Sequence, residues 1–174
     1  MRALRKRLAE MSPDAALRAT EFVADLPSGQ TVAVYRAVGA EFDPEPLAHA
    51  LIRAGRSLCL PVAIVRDAAL IFRRWSPGDP LEMDVAGCPA PLPLAEVVVP
   101  DLIIAPLLAF DDAGGRLGQG GGYYDRTFAA MPDAVRVGLA YSSQCVSDLS
   151  MLPFDMPLNG VLTEAGYRTL GISH

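Results

Sequence analysis

The run Leu102-Ile103-Ile104-Ala105-Pro106-Leu107-Leu108-Ala109-Phe110-Asp111-Asp112-Ala113-Gly114-Gly115-Arg116-Leu117-Gly118-Gln119-Gly120-Gly121-Gly122-Tyr123-Tyr124-Asp125-Arg126 decides the reading of this chain. Its first four residues are apolar with no polar alternation, which predicts a strand buried on both faces in the middle of a sheet. Six glycines follow within nine residues, Gly114 to Gly122. A helix should begin near Gly121 and run through Tyr124 and Phe128 to Met131. A strand, a glycine loop and a helix in that order are typical of an α/β sheet.

The same run carries the chemistry. Glycines let backbone N–H groups approach a ligand closely, and a helix start adds partial positive charge. Arg116 and Arg126 bring permanently charged, bidentate donors suited to phosphate. Asp111 and Asp125 could hold a hard divalent cation bridging phosphate oxygens. Two well-known glycine loops do not fit. The Walker pattern needs Gly-Lys-Ser/Thr, and the loop holds no Lys; the dinucleotide fingerprint needs a last glycine where Tyr123 stands. Composition alone leaves two readings open, a cradle for a metal–polyphosphate and a long flexible glycine turn.

Outward from the loop, the elements alternate. Residues 2–11 read as a basic amphipathic helix, and Ser12-Pro13 starts a second one running to about Asp25. Thr31 to Tyr35 reads as a buried strand, Asp43-Pro44 starts a helix to about Ala54, and Ser57 to Leu60 is a strand closed by Pro61. Ala69 to Arg73, Val135 to Tyr141 and Val161 to Thr163 read as further strands. Residues 76–100, where Pro89, Pro91 and Pro93 alternate with other residues, read as an extended surface excursion. The fold class is therefore α/β: a single-domain (1–174) three-layer sandwich with a mostly parallel, Rossmann-like sheet and helices on both faces.

Composition sets bounds. With 174 residues, 51% hydrophobic and 20% charged, the chain is the size of one domain and rich enough to bury a core. A net charge of −5 argues against a mainly electrostatic nucleic-acid binder. The longest central apolar run, Leu102 to Phe110, is too short to span a bilayer, and no apolar stretch follows the basic N-terminus as a secretory signal requires. Cys59, Cys88 and Cys145 form neither a disulfide framework nor a zinc pattern, which fits idle thiols in a reducing cytoplasm. His49 and His174 have no ligand spacing around them. Trp75 is read as ordinary packing or a pocket wall.

The string Pro106-x-x-Ala109-Phe110-Asp111-x-x-Gly114-x-Arg116-Leu117-Gly118-x-Gly120-Gly121-Gly122-Tyr123-Tyr124-Asp125-Arg126 resembles the signature of the 5-formyltetrahydrofolate cyclo-ligase family, with every signature position filled. The likeness extends to Tyr35 to Pro44 (YRAVGAEFDP), Gly55 to Pro61, Val137 to Gln144 (VGLAYSSQ) and Asp155 to Glu164 (DMPLNGVLTE). It implies that 5-formyltetrahydrofolate, ATP and Mg2+ give 5,10-methenyltetrahydrofolate, ADP and phosphate in the cytoplasm, by a monomer needing neither nucleic acid nor membrane. A formyl amide is a weak electrophile whose oxygen must leave; phosphorylating that oxygen makes phosphate the leaving group, and the neighbouring N10 attacks.

The resemblance also implies roles. Arg116, Tyr123 and Asp125 would be catalytic. Leu117, Gly118, Gln119, Gly120, Gly121, Gly122, Tyr123 and Tyr124 would hold ATP with Arg116, aided by Arg2, Arg5 or Lys6 from a first helix that begins closer to Ser12-Pro13 than is usual in the family. Arg36, Glu41, Gln119 to Gly122 and Tyr123 would meet the folate. Asp125 would ligate magnesium with Asn159, which stands where the family often has Asp, or with Asp155. Phe154 replaces a common His, and Ala90 the Glu of a frequent Glu-Pro pair. Two other functions are compatible with the sequence: a catalytically weak folate- or nucleotide-binding module on the same scaffold, and a sugar-phosphate enzyme on a related one.

Overall fold

A computed structural model describes residues 1–151, 153 and 155–171. The elements in chain order are α1 (Arg2–Met11), α2 (Ala15–Ala19) continued by a 3-10 turn (Thr20–Asp25), β1 (Thr31–Ala33), α3 (Glu45–Arg53), β2 (Ser57–Val62), β3 (Ile71–Arg74), β4 (Leu81–Met83), β5 (Pro89–Pro91), β6 (Val97–Val98), β7 (Leu102–Pro106), β8 (Ala109–Phe110), β9 (Arg116–Leu117), α4 (Tyr123–Ala130), β10 (Val135–Leu139), β11 (Gly160–Thr163) and β12 (Gly166–Thr169).

Eight strands form one sheet in the order β12-β11-β10-β7-β1-β2-β3-β6. The five strands from β11 to β2 run parallel, and β12, β3 and β6 are antiparallel additions at the two sides. The Leu102 strand is central, as its apolar run predicts. Leu102 and Ile104 point into one core with Leu47 and Leu51 of α3 and Ala15 and Ala19 of α2. Ile103 and Ala105 point into a second core with Phe128 of α4. Alternation of side chains across β7 thus feeds two cores on opposite faces, which is the three-layer arrangement.

Several local expectations shift. The helix expected from Ser12-Pro13 to Asp25 breaks into α2 and a tighter turn with non-helical geometry at Phe22. There the Thr20 hydroxyl donates to the Leu17 carbonyl at 2.6 Å, and Phe22 and Val23 reach into the core. Strand β2 continues through Pro61 to Val62, past Cys59, the last residue paired with β1, where the parallel ladder no longer asks for an N–H. Helix α3 starts after Asp43-Pro44 as expected, with Asp43 Oδ1 accepting the Glu45 N–H at 3.0 Å ahead of the first turn. Residues 76–100 do more than run over the surface: β4 and β5 pair as a hairpin, and β6 becomes the sheet's edge.

The chain leaves β1 toward β2 on one side and returns through β7 on the other. The loops after β1 and β7 therefore diverge from neighbouring strands at the carboxyl ends of the sheet. Such a topological switch point leaves a crevice in open α/β sheets, and it is where the two most informative motifs meet.

Candidate active site

The loop after β1 (34–44) is pinned from both ends. The buried Tyr35 hydroxyl donates to the Phe42 carbonyl at 2.6 Å, and Phe42 packs on Tyr141 with ring centroids 4.7 Å apart. This fixes Glu41, whose Oε2 accepts the Val38 N–H at 2.9 Å and whose Oε1 accepts the Gln119 amide at 2.8 Å. Behind it lies Arg5, only 6% exposed. Its Nη1 sits 3.9 Å from Glu41 Oε1 and donates to the Leu107 carbonyl at 3.3 Å. A nearly buried guanidinium needs such partners, and here they tie α1 to both loops.

The loop after β7 opens with the β8–β9 hairpin. The Asp111 side chain shapes its turn: Oδ1 accepts the N–H groups of Ala113 and Gly115 at 3.0 and 2.7 Å, and Oδ2 accepts the Leu149 N–H at 2.8 Å. That carboxylate is spent on backbone, so the cation role considered for Asp111 gives way to a structural one. The fully buried Gln144 donates to the carbonyls of Leu107 and Leu108 at 3.1 and 3.0 Å, bracing the same loop from β10's side.

Gly122, with φ +64°, turns the chain into α4, and no side chain caps that helix start. Its first-turn donors thus have no side-chain acceptor, the arrangement that receives anions. Arg116, its side chain 5% exposed, donates to Asp125 Oδ1 at 3.0 Å and lies over the rings of Tyr124 and Phe128 at 5.6 and 5.7 Å. Its buried Nε has no protein partner. Arg126 donates to the Gly121 carbonyl at 2.7 Å and covers Tyr123 at 5.3 Å.

These groups enclose a cavity of about 620 Å³, within the range of small-molecule sites. Arg36, Glu41 and every residue from Arg116 to Asp125 line it, so the structure brings the main sequence-derived site residues together. Arg36 is also ion-paired with Glu45 at 2.6 Å and lies 5.7 Å from the Trp75 ring. Burial, with Glu41 close by, pushes the Tyr35 and Tyr124 hydroxyls above their usual range, so both are neutral donors at physiological pH.

The other expected residues divide. Arg2 reaches the rim, its Nη2 donating to the Gln119 carbonyl at 3.4 Å. Arg5 is committed to Glu41 and Leu107, while Lys6 is exposed. Asn159 lies elsewhere: its Oδ1 accepts the Arg136 N–H at 2.8 Å, and its N–H donates back to the Arg136 carbonyl, at the amino ends of β10 and β11. The cavity is at the carboxyl ends, so Asn159 does not join Asp125. Phe154 and His174 lie outside the described residues. His49 is exposed beside Glu45, and Trp75 is buried packing under Arg36.

Sequence reasoning missed one wall. The β4–β5 turn contributes Asp84 and Cys88 to the cavity. Asp84 organises that turn, accepting the N–H groups of Ala63, Ala86 and Cys88 at 2.8, 2.9 and 3.0 Å. An Asp three residues before a glycine is a turn signal that was available.

Among the described residues no cluster of three or more His, Cys, Asp or Glu side chains forms a metal cage. Asp125 and Asp155 nonetheless line the same cavity, and one or two carboxylates completed by phosphate oxygens suit magnesium. Among the described residues no helix is long and apolar enough to cross a membrane.

Comparison with known proteins places these features in a family. The family model of the 5-formyltetrahydrofolate cyclo-ligase family matches residues 2–164. The chain is 37% identical over 147 residues to the 5-formyltetrahydrofolate cyclo-ligase of Escherichia coli K12, covering 76% of this chain and 77% of that one. To the enzyme of Mycolicibacterium smegmatis it is 34% identical over 145 residues, covering 78% and 74%. The 5,10-methenyltetrahydrofolate synthetase structure from Aquifex aeolicus superposes with a TM-score of 0.75 at 28% identity, over 99% of this chain and 93% of that one. The Mycoplasma pneumoniae synthetase shares the fold, with a TM-score of 0.68 at 22% identity over 94% and 98%. With this fold, this glycine loop and these relatives, the chain belongs to the 5-formyltetrahydrofolate cyclo-ligase family.

Proposed function

We propose that the cavity at the switch point performs the family's reaction: ATP-dependent closure of 5-formyltetrahydrofolate to 5,10-methenyltetrahydrofolate, with ADP and phosphate released. The observation that carries this reading is that Glu41 and the glycine loop, from opposite sides of the switch point, face one cavity. Two ligands must meet there, and two differently equipped walls meet there.

The nucleotide's phosphates fit the glycine-loop wall. Backbone N–H groups between Gly118 and Gly122 and the uncapped start of α4 supply donors, and Arg116 adds a positive charge held against Tyr124 and Phe128. Arg2 at the rim is the N-terminal cation best placed to join them, since Arg5 is committed to Glu41. Asp125, with Asp155 on the same cavity lining, would hold magnesium, which screens phosphate charge when bound. The folate fits the Glu41 wall, where the carboxylate accepts ring N–H donors and Arg36 and Tyr35 border the space.

The chain's task is then positioning and charge neutralisation. The γ-phosphoryl group passes to the formyl oxygen, N10 closes the ring on the formyl carbon and gives up its proton to solvent, and phosphate leaves carrying the formyl oxygen. Neutral Tyr124 near Arg116 can donate to the departing oxygen without itself ionising. We place this activity in the cytoplasm and in a monomer.

The test is the near-UV absorbance of the methenyl product. The protein with 5-formyltetrahydrofolate, ATP and magnesium should generate it, and omission of ATP should abolish it. Binding of both ligands without product would favour a binding module; binding of neither would reject the site.

A further inference from the structure

A side-chain hydrogen bond spans the mouth of the cavity from one loop to the other, with Gln119 Nε2 donating to Glu41 Oε1 at 2.8 Å. Glu41's second oxygen already accepts the Val38 N–H at 2.9 Å, and the first also faces the Arg5 guanidinium at 3.9 Å. Both carboxylate oxygens are therefore engaged with protein groups. Gln119 sits between two glycines, and Gly120, at φ +95°, has nothing within 4 Å of where a Cβ would stand. Gly120 therefore gives the chain beside Gln119 room to turn, while Gly121 stays held through its carbonyl by Arg126 at 2.7 Å. The Gln119 carbonyl also receives Arg2 at 3.4 Å, so α1, the loop after β1 and the glycine loop all meet at this one exposed residue.

We propose that the Gln119–Glu41 hydrogen bond is a latch that couples occupation of the folate wall to closure of the glycine loop on the nucleotide. The inference rests on the cavity assignment made above. A pterin ring presents a lactam N–H next to an exocyclic amino group, a donor pair that matches a carboxylate. A donor pair that reaches both oxygens competes with Gln119 for Oε1 and displaces it. Once released, Gln119 and Gly120 are free to turn toward the polyphosphate and present their N–H groups, about a point at Gly121 that Arg126 holds. A nucleotide that draws the loop inward likewise frees Glu41. The coupling must be equal in both directions, because it is one linkage free energy read from two sides. Gln119 is in this respect a positioning residue, acting on phosphate through the loop it belongs to.

The experiment is calorimetry on the full chain, with a non-hydrolysable ATP analogue and magnesium, with and without saturating 5-formyltetrahydrofolate. In the wild type the folate should tighten analogue binding roughly tenfold, the scale of one hydrogen bond to a charged acceptor. Gln119→Leu keeps the bulk and removes the donor. Without folate it should bind the analogue as tightly as the folate-loaded wild type does, and the coupling factor should fall to about one. Gln119 is exposed and its neighbours are glycines, so the variant keeps its fold, which a thermal melt checks. A merely structural Gln119 would shift the melt and leave the coupling factor untouched. Unchanged coupling in Gln119→Leu, or no coupling in the wild type while both ligands bind, overturns the latch and leaves the proposed activity standing. Failure of the folate to bind at all overturns both.

Discussion

Glu41→Ala is expected to raise the KM for the folate by roughly 10- to 150-fold while leaving the protein folded, and the structure supplies both halves of that estimate. The carboxylate side chain is 7% exposed and lines the cavity. Its loss removes an ionic acceptor for substrate donors, and such hydrogen bonds contribute about 1.5–3 kcal/mol. Stability changes for a different reason. Arg5, its side chain also 7% exposed, keeps the Leu107 carbonyl at 3.3 Å but loses its opposite charge. A half-paired buried guanidinium costs about 1–3 kcal/mol, or roughly 2–12 °C in Tm for a chain of this size. The loop stays anchored by the Tyr35–Phe42 bond at 2.6 Å. Glu41→Gln keeps an oxygen for the Val38 N–H and should melt closer to wild type, yet still lose folate affinity because the charge is gone. The assay is steady-state turnover against folate concentration at saturating MgATP, beside thermal melts of both variants. A lowered melt with the folate KM within about twofold of wild type would refute the reasoning, since Glu41 would then be a strut between three segments and the folate would sit elsewhere.

Asp125→Asn should cut turnover by about 100-fold or more and raise the magnesium concentration needed for half-maximal rate. A turnover loss with unchanged magnesium dependence assigns Asp125 to holding Arg116, its partner at 3.0 Å, and not to the metal. Gly120→Ala places a side chain at φ +95° in open space, so only backbone strain of about 1–2 kcal/mol is added, while the nucleotide KM should rise. Gly55→Ala, at φ +82° and equally open, is the control; an equal nucleotide effect there would dismiss the loop's role. Burial raises the Cys59 thiol from 9.0 to about 12. A raised folded value means that this stability is intact below pH 9 and is lost as pH climbs toward 12, at up to about 1.4 kcal/mol per pH unit. Urea midpoints should therefore decline through that window and decline less in Cys59→Ala, and identical slopes would contradict the burial argument. Exposed Cys88 and Cys145 should react with a thiol reagent in the native protein while Cys59 does not.

The central strand and the glycine loop are legible in sequence because each carries a strong local signal. Leu102 to Ala105 has no polar alternation, and only a site that needs close backbone approach collects glycines as Gly114 to Gly122 does. Glu41 is legible only through family resemblance, since a loop carboxylate gives no local sign that a residue 78 positions later will meet it. The β4–β5 wall is harder still. Asp84 reads as a turn, but nothing local says that the turn folds back over a cavity formed by two other loops. Asn159 misleads for the opposite reason. Its alignment with a ligand position is a matter of sequence, whereas its amide is taken by Arg136 backbone at the far end of the strands. The antiparallel strand Gly166–Thr169 is missed because half-buried edge residues give a weak pattern.

The most direct test of the account follows one oxygen atom. With 5-formyltetrahydrofolate carrying oxygen-18 in its formyl group, transfer of the γ-phosphoryl to that oxygen predicts one oxygen-18 per inorganic phosphate released, read by mass spectrometry. Label appearing in water, with unlabelled phosphate, would mean that ATP is spent elsewhere and that the cavity between Glu41 and the glycine loop does not join phosphate to the formyl group.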